Sequence, residues 1–435
     1  MKSKYNPDHQ FIKNQWISIL IVGMAFGTSW AIRGQFGHEP GAAWAAGIGA
    51  LALVLVAQRK DWYTKMLLIA FSSAIGWGAG GMISYGKVVG YGRSDDFLNA
   101  SYGLLMLFVI GGLFGLLGGG FVGLTLDSSK QKRVNWGSLV AEMAAGGLIG
   151  YYFLIEQLEW LMTPPRSEAW AICLGAGLAM IWHMARYGHN SPLRVAFYSA
   201  MGAGFGFAFG NFLQILGNVL AIDFNMWNVM EYSIGFFGGS SMAYGVFSSE
   251  WPEESLAPKR WENNFAFLIV FVFIPYLVLT NGPLLEPIFG SSEAVPKPDS
   301  ISLWGSITAI VVVLAVVITG WIKTIGSGHH FGRKDTQLLF VICFAAYIII
   351  SYCVTGAFKG VFLLNHHLYV VNYILVLILL GKHFPAFQEN EGSGLDTKKW
   401  LPTVVVIISV IILLALIAIN IHGEMGSANE RFPAI

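Results

Sequence analysis

Arg33, His38 and Glu39 fall within nine residues, Arg33 to Gly41, that join two apolar runs. A guanidinium in such a place is a partner for a carboxylate, phosphate or sulfate. A histidine beside a carboxylate can take up and release protons. Gly34, Gly37, Pro40 and Gly41 in the same stretch predict irregular backbone. At membrane depth that is tolerated only inside protein or around a cavity. A second group follows a later apolar run: Tyr85 and Lys87, then Tyr91 and Arg93.

Carboxylates isolated in apolar sequence form a third group. Glu142 lies in AEMAAGG and Glu231 opens another apolar run. A lone acid at membrane depth is costly, about 2.5–3.5 kcal/mol on insertion scales, so it pairs, lines a wet cavity or couples to a proton or cation. Glu142 and Glu231 are therefore the expected ion-coupling residues. Adjacent His366 and His367 would point about 100° apart on a helix, which suits one metal poorly. Cys173, Cys343 and Cys353 sit in apolar runs without paired spacing and read as small buried side chains. No metal and no cofactor is expected. Gly76 to Gly81 satisfies GxGxxG, but it lies in an apolar run without the strand a dinucleotide fold requires.

The chain that must position these groups has 435 residues, 55% of them hydrophobic and 12% charged. A soluble protein has roughly twice that share of charge. A net charge of +1 and the lack of a basic tract exclude a nucleic-acid partner. The composition is that of an all-α polytopic membrane protein whose partner is the lipid bilayer. Thirteen apolar stretches suffice for spans: 15–32, 42–58, 66–86, 101–125, 137–155, 167–185, 193–217, 228–247, 263–282, 302–322, 336–357, 366–381 and 400–421. The stretches at 42–58 and 366–381 are short enough to be partly interfacial. The first is read as a retained helix rather than a cleaved signal.

Alternating these spans from a cytoplasmic N-terminus leaves only Arg33, Lys87, Arg93, Arg166, Lys297, Lys359 and Arg431 outside, of 26 Lys and Arg. That asymmetry predicts an N-in, C-out protein of the plasma (cytoplasmic) membrane. The chain also repeats itself. AFSSAIGWGAG at Ala70–Gly80 returns as AFYSAMGAGFG at Ala196–Gly206. The same offset places Tyr85 opposite Asn211 and Lys87 opposite Leu213, with Gln214 next to it. Gly23 and Gly27 match Gly146 and Gly150 at a slightly shorter offset, which sets Arg33 opposite Glu156. The expected fold is two parallel four-helix repeats (1–127 and 128–250) and a C-terminal five-helix bundle (251–435). The signature glycines would let the third and seventh spans pack on each other.

Parallel repeats with polar groups gathered at one end point to a transporter. The expected substrate is a small anionic organic solute, a carboxylate, phosphate or sugar acid. It would be held by Arg33, His38, Glu39, Tyr85, Lys87, Glu156, Asn211 and Gln214 toward the extracytoplasmic side. The alternative is a membrane-embedded transferase or hydrolase acting on a lipid-linked or glycan substrate, with His38 as base and Glu39 or Glu156 orienting it. Oligomerisation is compatible with either.

Overall fold

The computed structural model describes residues 7–281, 300–326, 328, 330–355, 363–382, 384, 386–387 and 395–433. These residues are helical, without strands. Nine of their helices are long and apolar enough to cross a membrane, so this is a helical membrane protein. Met66–Gly80 and Leu364–Leu380 are shorter apolar helices. The 282–299 stretch, His329 and Lys359 lie outside the described residues.

Six helices make the central bundle: α1 (Pro7–Arg33), α2 (His38–Ala57), α4 (Met66–Gly80), α6 (Phe97–Asp127), α9 (Asn190–Val219) and α10 (Met226–Phe247). Short helices α3 (Lys60–Thr64) and α5 (Gly86–Gly92) flank α4. Each central helix packs on its neighbour, with α6 against α9 and α1 against α10 closing the group. Helices α7 (Trp136–Tyr151) and α8 (Trp170–Arg186) form a hairpin that leans on α6 and α9. Beyond α11 (Arg260–Phe267) and α12 (Ile274–Thr280) come α13 (Ser300–Gly326), α14 (Arg333–Thr355), α15 (Leu363–Leu380) and α16 (Thr397–Ile421). Of these, α14 packs on α2, and α15 on α1.

Small residues set the closest approach. A Cβ on Gly115 of α6 would stand 2.1 Å from the Ser199 carbonyl oxygen of α9, and one on Gly111 would stand 2.4 Å from that of Ala203. Backbones this close exclude any side chain and gain dispersion contacts along the seam. Beside it, Trp77 of α4 lies over Gly118 and meets Phe26 and Trp30 of α1 edge to face, at 4.8 and 5.4 Å between ring centres. Trp30 forms the floor of the polar site described below.

Several sequence expectations are corrected. The stretch 66–86 is not one helix: α4 ends at Gly80, and α5 starts after a five-residue break. The repeat signatures do not pack on each other. Gly76 and Gly80 of α4 face Leu117 and Phe114 of α6, whereas Gly202 and Gly206 of α9 face Ser241 and Ser233 of α10. Helix α6 stands between them. Helix α2, at the second expected span, is buried at every residue from Pro40 to Ala57 and is long and apolar enough to cross a membrane. The irregular Arg33–Gly41 stretch is shorter than expected. Helix α1 runs through Arg33, Gly37 turns the chain at φ 84°, and Pro40 fits the first turn of α2. Proline is tolerated there because the first amides of a helix have no helical acceptor.

At the opposite end of the bundle, Lys65 is 3% exposed and donates to the carbonyls of Thr125 (2.8 Å) and Ser128 (3.0 Å), the last turn of α6. Burial pulls its pKa down to about 8, against the attraction of Asp61. The unfolded chain holds this proton up to its ordinary 10.5. Folding therefore releases a proton between these values, and stability linked to Lys65 rises with pH across that window. In Lys65→Met, lost hydrogen bonds and relieved desolvation oppose each other, so pH dependence is the cleaner readout. Thermal unfolding in detergent should show the wild type gaining on Lys65→Met between pH 8 and 10. A constant difference would contradict a buried ammonium at this position.

Candidate functional site

Four helix ends meet around Arg33. It is the last residue of α1, one helical turn beyond Trp30, whose ring lies 4.8 Å from the guanidinium carbon. The tight turn at Gly37 returns the chain so that His38 starts α2 beside it. Gly41 permits that return, since a Cβ there would stand 2.7 Å from the Arg33 carbonyl oxygen. The break after α4 brings Tyr85 to the N-cap of α5. Glu231 comes from the second turn of α10, 198 residues along the chain.

The hydrogen bonds are nearly complete. One terminal nitrogen of Arg33, Nη2, donates to Glu231 Oε2 (2.7 Å) and to the Tyr85 hydroxyl (3.1 Å). The other, Nη1, lies 3.1 Å from His38 Nδ1. Arginine only donates, so Nδ1 is the unprotonated nitrogen of a neutral His38. Tyr85 has one proton and two acceptors in reach: Glu231 Oε1 at 2.9 Å and His38 Nδ1 at 3.3 Å. Arg33 is fully buried and Glu231 is 4% exposed, while His38 opens to the surface. The Arg33 Nε–H and the Trp30 indole Nε1–H lack a partner among the described residues. Chemically this is a buried, neutralised ion pair with a spare donor. A tyrosine hydroxyl joins it to an exposed histidine.

A second cluster lies one layer away. Arg93 donates to Gln214 Oε1 (2.8 Å) and Ser427 Oγ (2.6 Å), and its guanidinium stacks 5.1 Å from the Trp227 ring centre. Asn211 donates to Gln214 Oε1 (3.1 Å) and to the Val89 carbonyl (3.4 Å). Lys87 reaches Asn429 Oδ1 of the C-terminal tail at 3.3 Å.

The residues singled out in the sequence are thus divided. Arg33, His38, Tyr85 and Glu231 come together. Asn211 and Gln214 gather around Arg93 instead, and Lys87 is held by the tail. Glu39 is exposed in the first turn of α2. Glu156 is exposed in a π-helical turn, Tyr152–Gln157, that ends α7. The partner of Arg33 is therefore Glu231 and not Glu156. Neither Glu39 nor Glu156 hydrogen-bonds to His38 among the described residues. Glu142 is not isolated: it accepts from Ser138 (2.8 Å), lies 3.0 Å from His183 Nδ1 and pairs with Arg186. His366 is buried, 3.2 Å from the Ser351 carbonyl, while His367 meets the Tyr352 hydroxyl, so the pair serves two different contacts. Sequence reasoning passed over Trp30. Its spacing of three from Arg33 is the signal that places both on one helix face.

No protein family, curated protein or solved structure matches this chain.

Proposed function

We propose that the protein is a plasma-membrane transporter that takes up a small anionic organic solute together with a proton, at the Arg33–Glu231 pair. The observation behind this reading is that pair's geometry: a fully buried cation neutralised by one carboxylate, whose tyrosine partner also reaches an exposed histidine. An incoming carboxylate or phosphate would compete with Glu231 for Arg33, using the spare Nε–H as well. A displaced Glu231 would be an unpaired buried charge, costing several kcal/mol. A proton delivered through His38 and Tyr85 removes that cost. Solute and proton would then enter together.

The reading carries with it the architecture expected from the sequence: thirteen spans, a cytoplasmic N-terminus, two four-helix repeats and a C-terminal bundle. Helices of 15 or more residues lie at all thirteen expected stretches once α11 and α12 are counted with the π-helical turn that joins them. The break between α4 and α5 occurs in one copy only, because α9 is continuous. A broken helix beside the site is the arrangement by which transporters expose polar groups at depth. A hydrolase or transferase would need His38 oriented by a carboxylate. Its neighbours are Arg33 and Tyr85 instead, which favours transport.

The test is uptake into proteoliposomes of labelled lactate, gluconate and glucose 6-phosphate, with glucose as the uncharged control. An inward proton gradient should drive at least one anion and leave glucose behind. Tyr85→Phe keeps the ring and removes the relay, so gradient-driven uptake should fall about tenfold or more while the protein stays folded. Glucose uptake matching that of the anions, or full gradient dependence in Tyr85→Phe, would refute the proposal.

A further inference from the structure

A cavity of about 360 Å³ opens between the C-terminal half of α1, the start of α10 and the outer face of α15. Neither Arg33 nor Glu231 lines it, and among the described residues no charged side chain does. Its polar wall is built from amides. Asn365, 2% exposed, donates through Nδ2 to Asn228 Oδ1 at 2.6 Å, and the Tyr369 hydroxyl donates to the same oxygen. Asn372 is held by the Met24 carbonyl (3.0 Å) and Thr28.

Two polar atoms remain over. Asn365 Oδ1 is buried with no hydrogen-bond partner among the described residues. Asn228 accepts twice at Oδ1, while its Nδ2 donors have no protein acceptor among the described residues. A buried, unsatisfied amide oxygen is uncommon and marks a place where a ligand or water completes the bonding. The missing partner must donate to one amide and accept from another, at adjacent positions. A hydroxyl group does both. An anion would meet no charged side chain on the lining among the described residues and would lose its hydration.

The open side indicates where the ligand comes from. Leu368, Val371 and Leu375 recur along the exposed face of α15 and line the mouth. That face belongs to an apolar helix, and a mouth lined by such side chains suits acyl chains better than water.

We propose that this cavity is a binding site for a neutral, hydroxyl-bearing lipid of the monoacylglycerol type. Its head group would sit on Asn365 and Asn228, and its chain would leave past Leu368 and Leu375. The site does not depend on the transport reading.

The test uses the full chain in phosphatidylcholine nanodiscs with a monoacylglycerol carrying a photoreactive diazirine in its acyl chain. Labelling should saturate, concentrate in the peptides of α10 and α15, and be displaced by excess monoolein. Asn365→Leu should weaken it about tenfold. Leu368→Trp, at an exposed position that folding tolerates, should block the mouth and do the same. Labelling spread evenly over α7 and α16, or unchanged in Leu368→Trp, would overturn the proposal. So would displacement by phosphatidic acid as effective as by monoolein, which indicates a charged ligand. Displacement by free glycerol at equal potency would show a small-solute site and would equally overturn it.

Discussion

Glu231→Ala should destabilise the protein by about 3–5 kcal/mol, the usual cost of leaving one partner of a buried ion pair alone. The reason is the completeness of the site. Arg33 is 0% exposed and its Nη2 loses its shortest bond, the 2.7 Å contact to Glu231. Among the described residues no other carboxylate is placed to replace it, since Glu39 is exposed and Glu156 sits on the peripheral α7–α8 hairpin. The guanidinium would remain in a pocket walled by Trp30 and Tyr85. Arg33→Met together with Glu231→Leu removes both charges and should recover most of the loss, because an apolar pair of similar volume avoids the desolvation cost. Thermal or denaturant unfolding in detergent measures both variants. A double variant as unstable as Glu231→Ala would mean that packing, and not charge, holds α1 against α10.

The second large effect belongs to the α6–α9 seam. Gly115→Leu should prevent recovery of folded protein from membranes. Its Cβ alone would overlap the Ser199 carbonyl oxygen at 2.1 Å, and backbone cannot yield as a side-chain tip does. Gly204→Leu should fail in the same way against the Phe108 carbonyl oxygen at 2.5 Å. Gly78→Leu is milder at the Cβ itself, where the nearest atom is the Ala43 methyl at 3.1 Å. Size-exclusion profiles of the three variants should therefore rank Gly78→Leu above the other two. Equal yields for Gly115→Leu and wild type would mean that the two helices are further apart than described.

Much of this site was legible in the sequence, for identifiable reasons. Arg33 and His38 stood out because charge and glycine cluster between two apolar runs. Tyr85 stood out because it follows the repeated signature. Glu231 was visible as an isolated acid, but its role as the partner of Arg33 was not. That contact depends on α1 packing along α10, and nothing local in either helix encodes the choice. The repeat pointed instead to Glu156. It misled because Glu156 ends α7, in the α7–α8 hairpin that leans on the outside of the bundle away from Arg33. The break after Gly80 was also hidden. Residues 81–85 are Gly-Met-Ile-Ser-Tyr, apolar enough to continue a span. At the end of the helix Gly81 lies against α2, where a Cβ would meet the Glu39 backbone at 2.7 Å.

The central claim is that opening the Arg33–Glu231 pair to a solute requires a proton. Proteoliposomes loaded with a pH-sensitive dye test it on the wild-type protein alone. Adding a transported anion at equal pH on both sides should acidify the lumen, with about one proton entering per solute. Uptake of the same anion with no change in lumenal pH would contradict the account.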